Sequence, residues 1–125
     1  RIDLFDLTLV AQNFAPLAAP ITLLEEKVER LILHQNYPNP FNPETWIPFQ
    51  LSGESAVKFE IHNVSGQLVR RLSLGQLPAG KYLDRKLSAY WDGRSESGEL
   101  VGSGVYFYTI FTDRQRLTRQ MMILK

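Results

Sequence analysis

Apolar and polar residues alternate along most of the chain from residue 45 onward, which is the period of a strand with one buried face. In residues 57–62, Val, Phe and Ile alternate with Lys, Glu and His, and the runs VYFYTIFT and RLTRQMMILK continue this character. Turn signals such as SG, AG and DG separate the runs about every ten residues. With no helical pattern between them, these runs predict a mainly β fold, a seven-stranded antiparallel sandwich.

The first third of the chain has a different period. Apolar residues recur at three- and four-residue spacings in IDLFDLTLVAQNF, which predicts a helix that ends at Pro16. A second stripe in ITLLEEKVERLIL predicts another helix, whose last residues can instead be extended. We therefore expect one or two N-terminal helices, divided into a unit of residues 1–19, a helical linker of residues 20–33 and a sandwich of residues 34–125.

The stretch HQNYPNPFNPETWIPFQL holds four prolines and three asparagines directly before the sheet. Each proline fixes its own φ and biases the preceding residue toward extended backbone, and asparagine side chains close turns on neighbouring backbone. We expect residues 38–43, here named the proline arch, to be rigid, with Tyr37 and Phe41 anchoring it on the edge of the core. A stiff linker is the simpler alternative. Pro48 lacks a donor, which predicts an edge strand or a bulge there.

Composition narrows the function classes. The formal net charge is +1, so bulk electrostatics do not indicate nucleic-acid binding. The chain has no cysteine, which excludes disulfides and cysteine-bound zinc. No apolar run approaches the roughly 20 residues of a membrane span.

Catalytic patterns are weak, so we expect no enzyme. His34 and His62 lack a nucleophile elbow or a second metal-ligand histidine at helical spacing, which favours surface histidines. The acidic residues are scattered and predict no converging pair. Trp46 and Trp91 are expected in the core, and an exposed pair that stacks on carbohydrate is the alternative.

An ordered series of motifs carries a family resemblance: NYPNPFNP, NVSGQLV, AG, WDG, SGVYFY and a basic terminal strand. From about residue 33 to the end, the chain resembles the C-terminal sorting domains of type IX secretion substrates, and it is similar to the Ig-like domain of flagellar hook-capping proteins. The resemblance implies an Ig-like sandwich of a secreted or outer-membrane, cell-surface protein. It maps the sorting signal onto the proline arch, residues 104–108 and the final strand, whose candidate contact residues are Met121, Met122, Ile123, Leu124 and Lys125.

The N-terminal segment RIDLFDLTLVAQNF resembles the second half of a dockerin calcium loop and its helix. The resemblance implies calcium ligands at Arg1 (its carbonyl), Asp3 and Asp6, and a cohesin contact through Thr8, Leu9 and Gln12. Calcium takes six to eight oxygens, so binding requires the missing first half of the loop. Alternatively, Asp3 and Asp6 are ordinary acidic residues at a helix start.

Together these patterns predict a non-catalytic C-terminal module of a secreted bacterial protein, whose partner is a secretion-machinery protein bound through the edge of the last strand. The alternative is an assembly module in which the sandwich supports a dockerin that binds cohesin. A small carbohydrate-active enzyme is the third hypothesis. The oligomeric state has no signal in the sequence.

Overall fold

A computed structural model describes residues 30–125. The predicted N-terminal helix, most of the helical linker, and the calcium and cohesin candidates Arg1, Asp3, Asp6, Thr8, Leu9 and Gln12 lie outside the described residues. At the end of the linker, Ile32–Leu33 form the first strand, so the extended alternative for these two residues is the correct one. Between residues 30 and 125, no helix is long and apolar enough to cross a membrane.

The described part of the chain contains nine strands. They are β1 (Ile32–Leu33), β2 (Thr45–Ile47), β3 (Phe49–Leu51), β4 (Ser55–Asn63), β5 (Leu68–Leu77), β6 (Gly80–Tyr82), β7 (Ala89–Trp91), β8 (Gly104–Phe111) and β9 (Arg116–Ile123). Pro48 divides β2 from β3, and residues 83–88 divide β6 from β7. Counting each divided run once gives the seven strands of the predicted antiparallel sandwich.

Two layers of strands face each other. One layer is a four-stranded sheet in the order β5-β4-β8-β9, and the other consists of the sheets β1-β3-β6 and β2-β7. All strand pairs are antiparallel. Before Pro48 the chain pairs with β7, and after it the chain pairs with β1 and β6. The Pro48 carbonyl accepts a hydrogen bond from His34 N at 3.0 Å. Pro48 therefore lies at a break between two strands, where its lack of an N–H group costs no hydrogen bond of the sheet.

The core lies between the layers, as the alternation in β4 predicts. Val57, Phe59 and Ile61 are buried, and the residues between them face outward. Phe59 meets Phe49 of the opposite layer with ring centroids 5.5 Å apart. Full burial of one such side chain contributes about 1.5–3 kcal/mol, so this contact helps hold the two layers together.

The two tryptophans differ from each other. Trp91 is fully buried, as expected, and its ring lies 5.9 Å from that of Tyr106 across the layers. The expectation of a core position is wrong for Trp46, which is half-buried on the outer face. Its strand neighbours Thr45 and Ile47 take the inward positions, and period-two geometry then turns Trp46 outward.

Candidate functional site

The last five residues, the sorting candidates of the sequence, divide between core and surface. Met121 and Ile123 point inward and are 1% and 0% exposed. Met122 and Leu124 point outward with 39% and 53% exposure, and Lys125 is exposed. The end of β9 therefore contributes two side chains to the hydrophobic core and presents the others to solvent.

The proline arch lies along the outer edge of this strand end. Phe41 N donates to Met122 O at 3.0 Å, and Leu124 N donates to Phe41 O at 3.1 Å. Asn39 reaches the same strand, because its Oδ1 accepts from Met122 N at 3.0 Å. These three bonds occupy backbone groups that an edge strand otherwise offers to a partner. A partner at residues 122–124 therefore meets side chains and finds no free backbone edge.

The start of β8 lies on the other side of the same strand end. Gly104 pairs with Ile123, Tyr106 pairs with Met121, and Lys125 N donates to Ser103 Oγ at 3.0 Å. The terminal strand is thus held between the proline arch and residues 104–108. The proline arch, which is distant in the sequence, thus joins two consecutive strands in one surface, here named the arch–terminus surface.

Buried hydrogen bonds and one aromatic contact fix the arch. Asn36 is buried, and its Nδ2 donates to Thr45 Oγ1 at 3.0 Å and to Pro38 O at 3.2 Å. Phe41 is 2% exposed, and its ring lies 5.6 Å from Trp91. Phe41 thus anchors the arch in the core, as expected. Tyr37 is held by two backbone bonds to Trp46, but its ring lies on the outer sheet face and not at the core.

The glycine of the WDG motif lets the arch approach the sandwich. A Cβ atom on Gly93 would clash with Pro43 O, at a distance closer than real Cβ contacts occur, and would lie 3.9 Å from Ile123 Cδ1. Gly93 also has a φ of +79°, which favours glycine. The WDG turn and the arch therefore fit together only with glycine at this position.

Tyr108 joins β8 to the chain leading into the arch. Its hydroxyl donates to His34 O at 2.8 Å and accepts from Asn36 N at 3.0 Å. Burial raises the pKa of Tyr108 to about 12, although the Asn36 bond and the charge of Arg119 act in the opposite direction. The side chain is therefore neutral at physiological pH and acts as a structural hydrogen-bonding group.

The histidines contact polar neighbours. His34 Nε2 lies 3.1 Å from Gln50 Nε2, and His62 lies 3.8 Å from Glu60 on the outer face of the four-stranded sheet. Among residues 30–125, no group of three or more His, Asp or Glu residues could hold a metal ion. What the arch–terminus surface presents is exposed Met122, Leu124 and Lys125 on a fixed backbone, an arrangement suited to binding a partner.

Known proteins share this fold. Residues 42–115 match the family model described as the FlgD Ig-like domain. Dimeric latent PorU from Porphyromonas gingivalis superposes with a TM-score of 0.56 at 18% identity, over 78% of this chain and 10% of PorU. No curated protein sequence matches the chain.

Two further solved structures are similar. PorZ, a surface component of the type-IX secretion system of P. gingivalis, gives a TM-score of 0.47 at 18% identity, over 73% of this chain and 11% of PorZ. FlgD from P. aeruginosa gives a TM-score of 0.48 at 21% identity, over 78% of this chain and 74% of FlgD. The chain therefore spans about a tenth of the length of PorU and PorZ.

Proposed function

The chain belongs to the family of FlgD Ig-like domains, and from that premise we propose that it is a non-catalytic sorting module of a secreted bacterial protein. In this proposal a type IX secretion apparatus recognises the folded sandwich, and the parent protein is secreted or held at the cell surface. The observation that carries the proposal is the arch–terminus surface. Its three segments are those to which the sequence resemblance assigns the sorting signal.

The contact in this proposal runs through side chains. The arch already bonds Met122 and Leu124 on the strand edge, so a partner strand cannot add there without displacing it. Exposed Leu124 and Lys125 offer an apolar contact and a charge at the end of the strand. A rigid backbone beneath them lowers the cost of ordering on binding.

Deleting residues 121–125 is a poor test of this proposal, because it removes two core side chains together with the surface. A sharper experiment fuses the whole chain behind a reporter with an export signal, in a bacterium that has type IX secretion. The double variant Leu124→Asp, Lys125→Glu changes exposed side chains only. Leu117→Asp, at 37% exposure near the opposite end of β9, is the matched control.

We expect the double variant to accumulate folded in the periplasm, while the unchanged fusion and the Leu117→Asp control reach the medium or the cell surface. Melting temperatures of the purified variants establish that all are folded. Export of the double variant at the level of the unchanged fusion contradicts the proposal, as does export of the reporter without the chain.

The dockerin resemblance supports a second proposal for residues 1–19, with the sandwich as its support. Arg1, Asp3 and Asp6 alone supply too few oxygens for calcium, so this proposal needs the first half of the loop in the parent protein. We expect Asp6→Ala in that full-length parent to weaken calcium binding markedly in a calorimetric titration. An unchanged affinity would remove the assignment, and with it the cohesin contact at Thr8, Leu9 and Gln12.

A further inference from the structure

Three aromatic side chains form a row across the outer face of the β2-β7 layer. Tyr37 bridges to Trp46, and Trp46 pairs with Tyr90 of β7. Ring centroids lie 6.4 Å apart in the first pair and 5.5 Å in the second. Tyr90 is 44% exposed, whereas its strand neighbours Ala89 and Trp91 are fully buried. The row therefore lies outside the hydrophobic core. Aromatic side chains exposed on the outer face of a sheet are typical of binding sites.

Arg85 covers part of this row. Its guanidinium carbon lies 4.1 Å from the ring centroid of Trp46 and 5.8 Å from that of Tyr37. Among residues 30–125, no carboxylate forms an ion pair with Arg85 or with its exposed neighbour Lys86. Glu44 is on the same side of the layer, but its carboxylate accepts the Tyr90 hydroxyl at 2.6 Å. A guanidinium that stacks on aromatic rings and forms no ion pair among the described residues is preorganised to bind a carboxylate through two parallel hydrogen bonds.

Apolar side chains accompany the arginine on the connection between β6 and β7. Leu83 and Leu87 are 38% and 50% exposed. The connection is tied to the aromatic row, because Tyr37 Oη donates to Leu83 O at 3.4 Å. Trp, Tyr and Arg are the residues most enriched at energetically important positions of protein interfaces. Exposed leucines beside them favour a peptide partner over a sugar, which stacks on an uncovered ring.

We propose that Tyr37, Trp46, Arg85 and Tyr90 bind an acidic segment of a partner protein, with an Asp or Glu carboxylate on Arg85 and neighbouring apolar side chains against Leu83 and Leu87. The positive charge of Arg85 and Lys86 selects the acidic residue. The exposed side chains of Leu83 and Leu87 favour apolar residues next to that acidic residue in the partner. This surface is separate from the exposed side chains proposed to act in export, so each proposal can fail without the other.

Nuclear magnetic resonance on the whole ¹⁵N-labelled chain tests this inference. The probes are a synthetic peptide Gly-Leu-Asp-Leu-Gly with blocked ends, the same peptide with Asn for Asp, and an oligogalacturonate as an acidic sugar. The resonances followed are the side-chain N–H groups of Arg85 and Trp46. The indole N–H of Trp91 donates to Arg94 O at 2.9 Å inside the fold, so it is the internal reference.

We expect the Asp peptide to shift the Arg85 and Trp46 signals saturably and to leave Trp91 unmoved. Loss of charge-assisted hydrogen bonds predicts about tenfold weaker binding for the Asn peptide and for the variant Arg85→Gln. Arg114→Gln, at an exposed arginine without an ion pair in the described residues, should bind as the unchanged chain does. Equal response to both peptides, no saturable response to either, or a response to the oligogalacturonate alone overturns the inference.

Discussion

Phe41 and Ile123 lie side by side in a parallel bridge, although 82 positions separate them in the chain. Both side chains enter the core, and the backbone of Phe41 bonds to the residues on either side of Ile123. The bridge is isolated, and its two bonds occupy the outer edge of β9 at Met122 and Leu124. The arch thus protects the end of the terminal strand from unspecific strand pairing and leaves the outward side chains of Met122 and Leu124 accessible.

Asn39→Ala should release one end of this contact. The variant removes the acceptor of the Met122 amide, so we expect a loss of about 1 kcal/mol in the free energy of unfolding and faster hydrogen exchange at that amide. Asn42→Ala is the matched control, since Asn42 is exposed in the same arch and has no hydrogen bond among the described residues. Equal exchange rates at Met122 in the two variants would contradict the contact.

Gly93→Ala tests the fit between the WDG turn and the arch. Gly66 has a similar φ of +85° but open space around its Cβ position, so Gly66→Ala measures the backbone cost alone, about 1–2 kcal/mol. At Gly93 the new methyl group also meets Pro43 O, which should add about 1–3 kcal/mol. Urea unfolding of both variants gives the difference. Equal losses in the two variants would mean that Pro43 does not pack against the turn at Gly93.

Ile123→Ala and Leu124→Ala separate the two roles of the last residues. Ile123 is fully buried, so its truncation should cost about 2–5 kcal/mol. Leu124 holds the arch through its backbone and has an exposed side chain, so its truncation should stay within about 0.5 kcal/mol. Thermal unfolding measures both. A larger effect at Leu124 than at Ile123 would reverse the inward and outward assignment of the terminal strand.

The sequence predicts the architecture well because alternation and turn residues are local signals. The inward set Val57, Phe59 and Ile61 follows from period two alone. In residues 45–47 the same rule leaves two choices, Trp46 inward or its neighbours inward, and residue size suggests the wrong one. Thr45 points inward and bonds to buried Asn36. Nothing in the spacing of these two residues indicates this hydrogen bond.

The candidate site is less predictable because its contacts are long-range. The proline pattern indicates a rigid arch, but the partner of that arch is a strand about eighty positions away, and only the topology brings them together. The row of Tyr37, Trp46 and Tyr90 has the same origin. Tyr37 and Trp46 lie in one stretch, but Tyr90 belongs to β7, so no single motif in the sequence displays the row.

Tyr108 predicts how stability depends on alkaline pH. Burial raises the pKa of Tyr108 from 10 to about 12, so its neutral form is favoured in the folded state. The unfolded chain loses this proton first, and the stabilisation is therefore complete below pH 10 and falls as the pH rises toward 12. A pKa raised by about two units corresponds to a loss of about 2–3 kcal/mol in the free energy of unfolding over this pH range.

Tyr108→Phe should remove this part of the pH dependence. At neutral pH the variant should be less stable by about 1–3 kcal/mol, because His34 O and Asn36 N lose a buried partner. Between pH 10 and 12 the gap between the two proteins should narrow, since only the unchanged chain loses the contribution of Tyr108. Tyr82 and Tyr106, whose pKa values burial also raises, titrate in both proteins and cancel in the difference. Urea unfolding across this range measures the gap, and a gap that stays constant would mean that the Tyr108 hydroxyl is not held in the core.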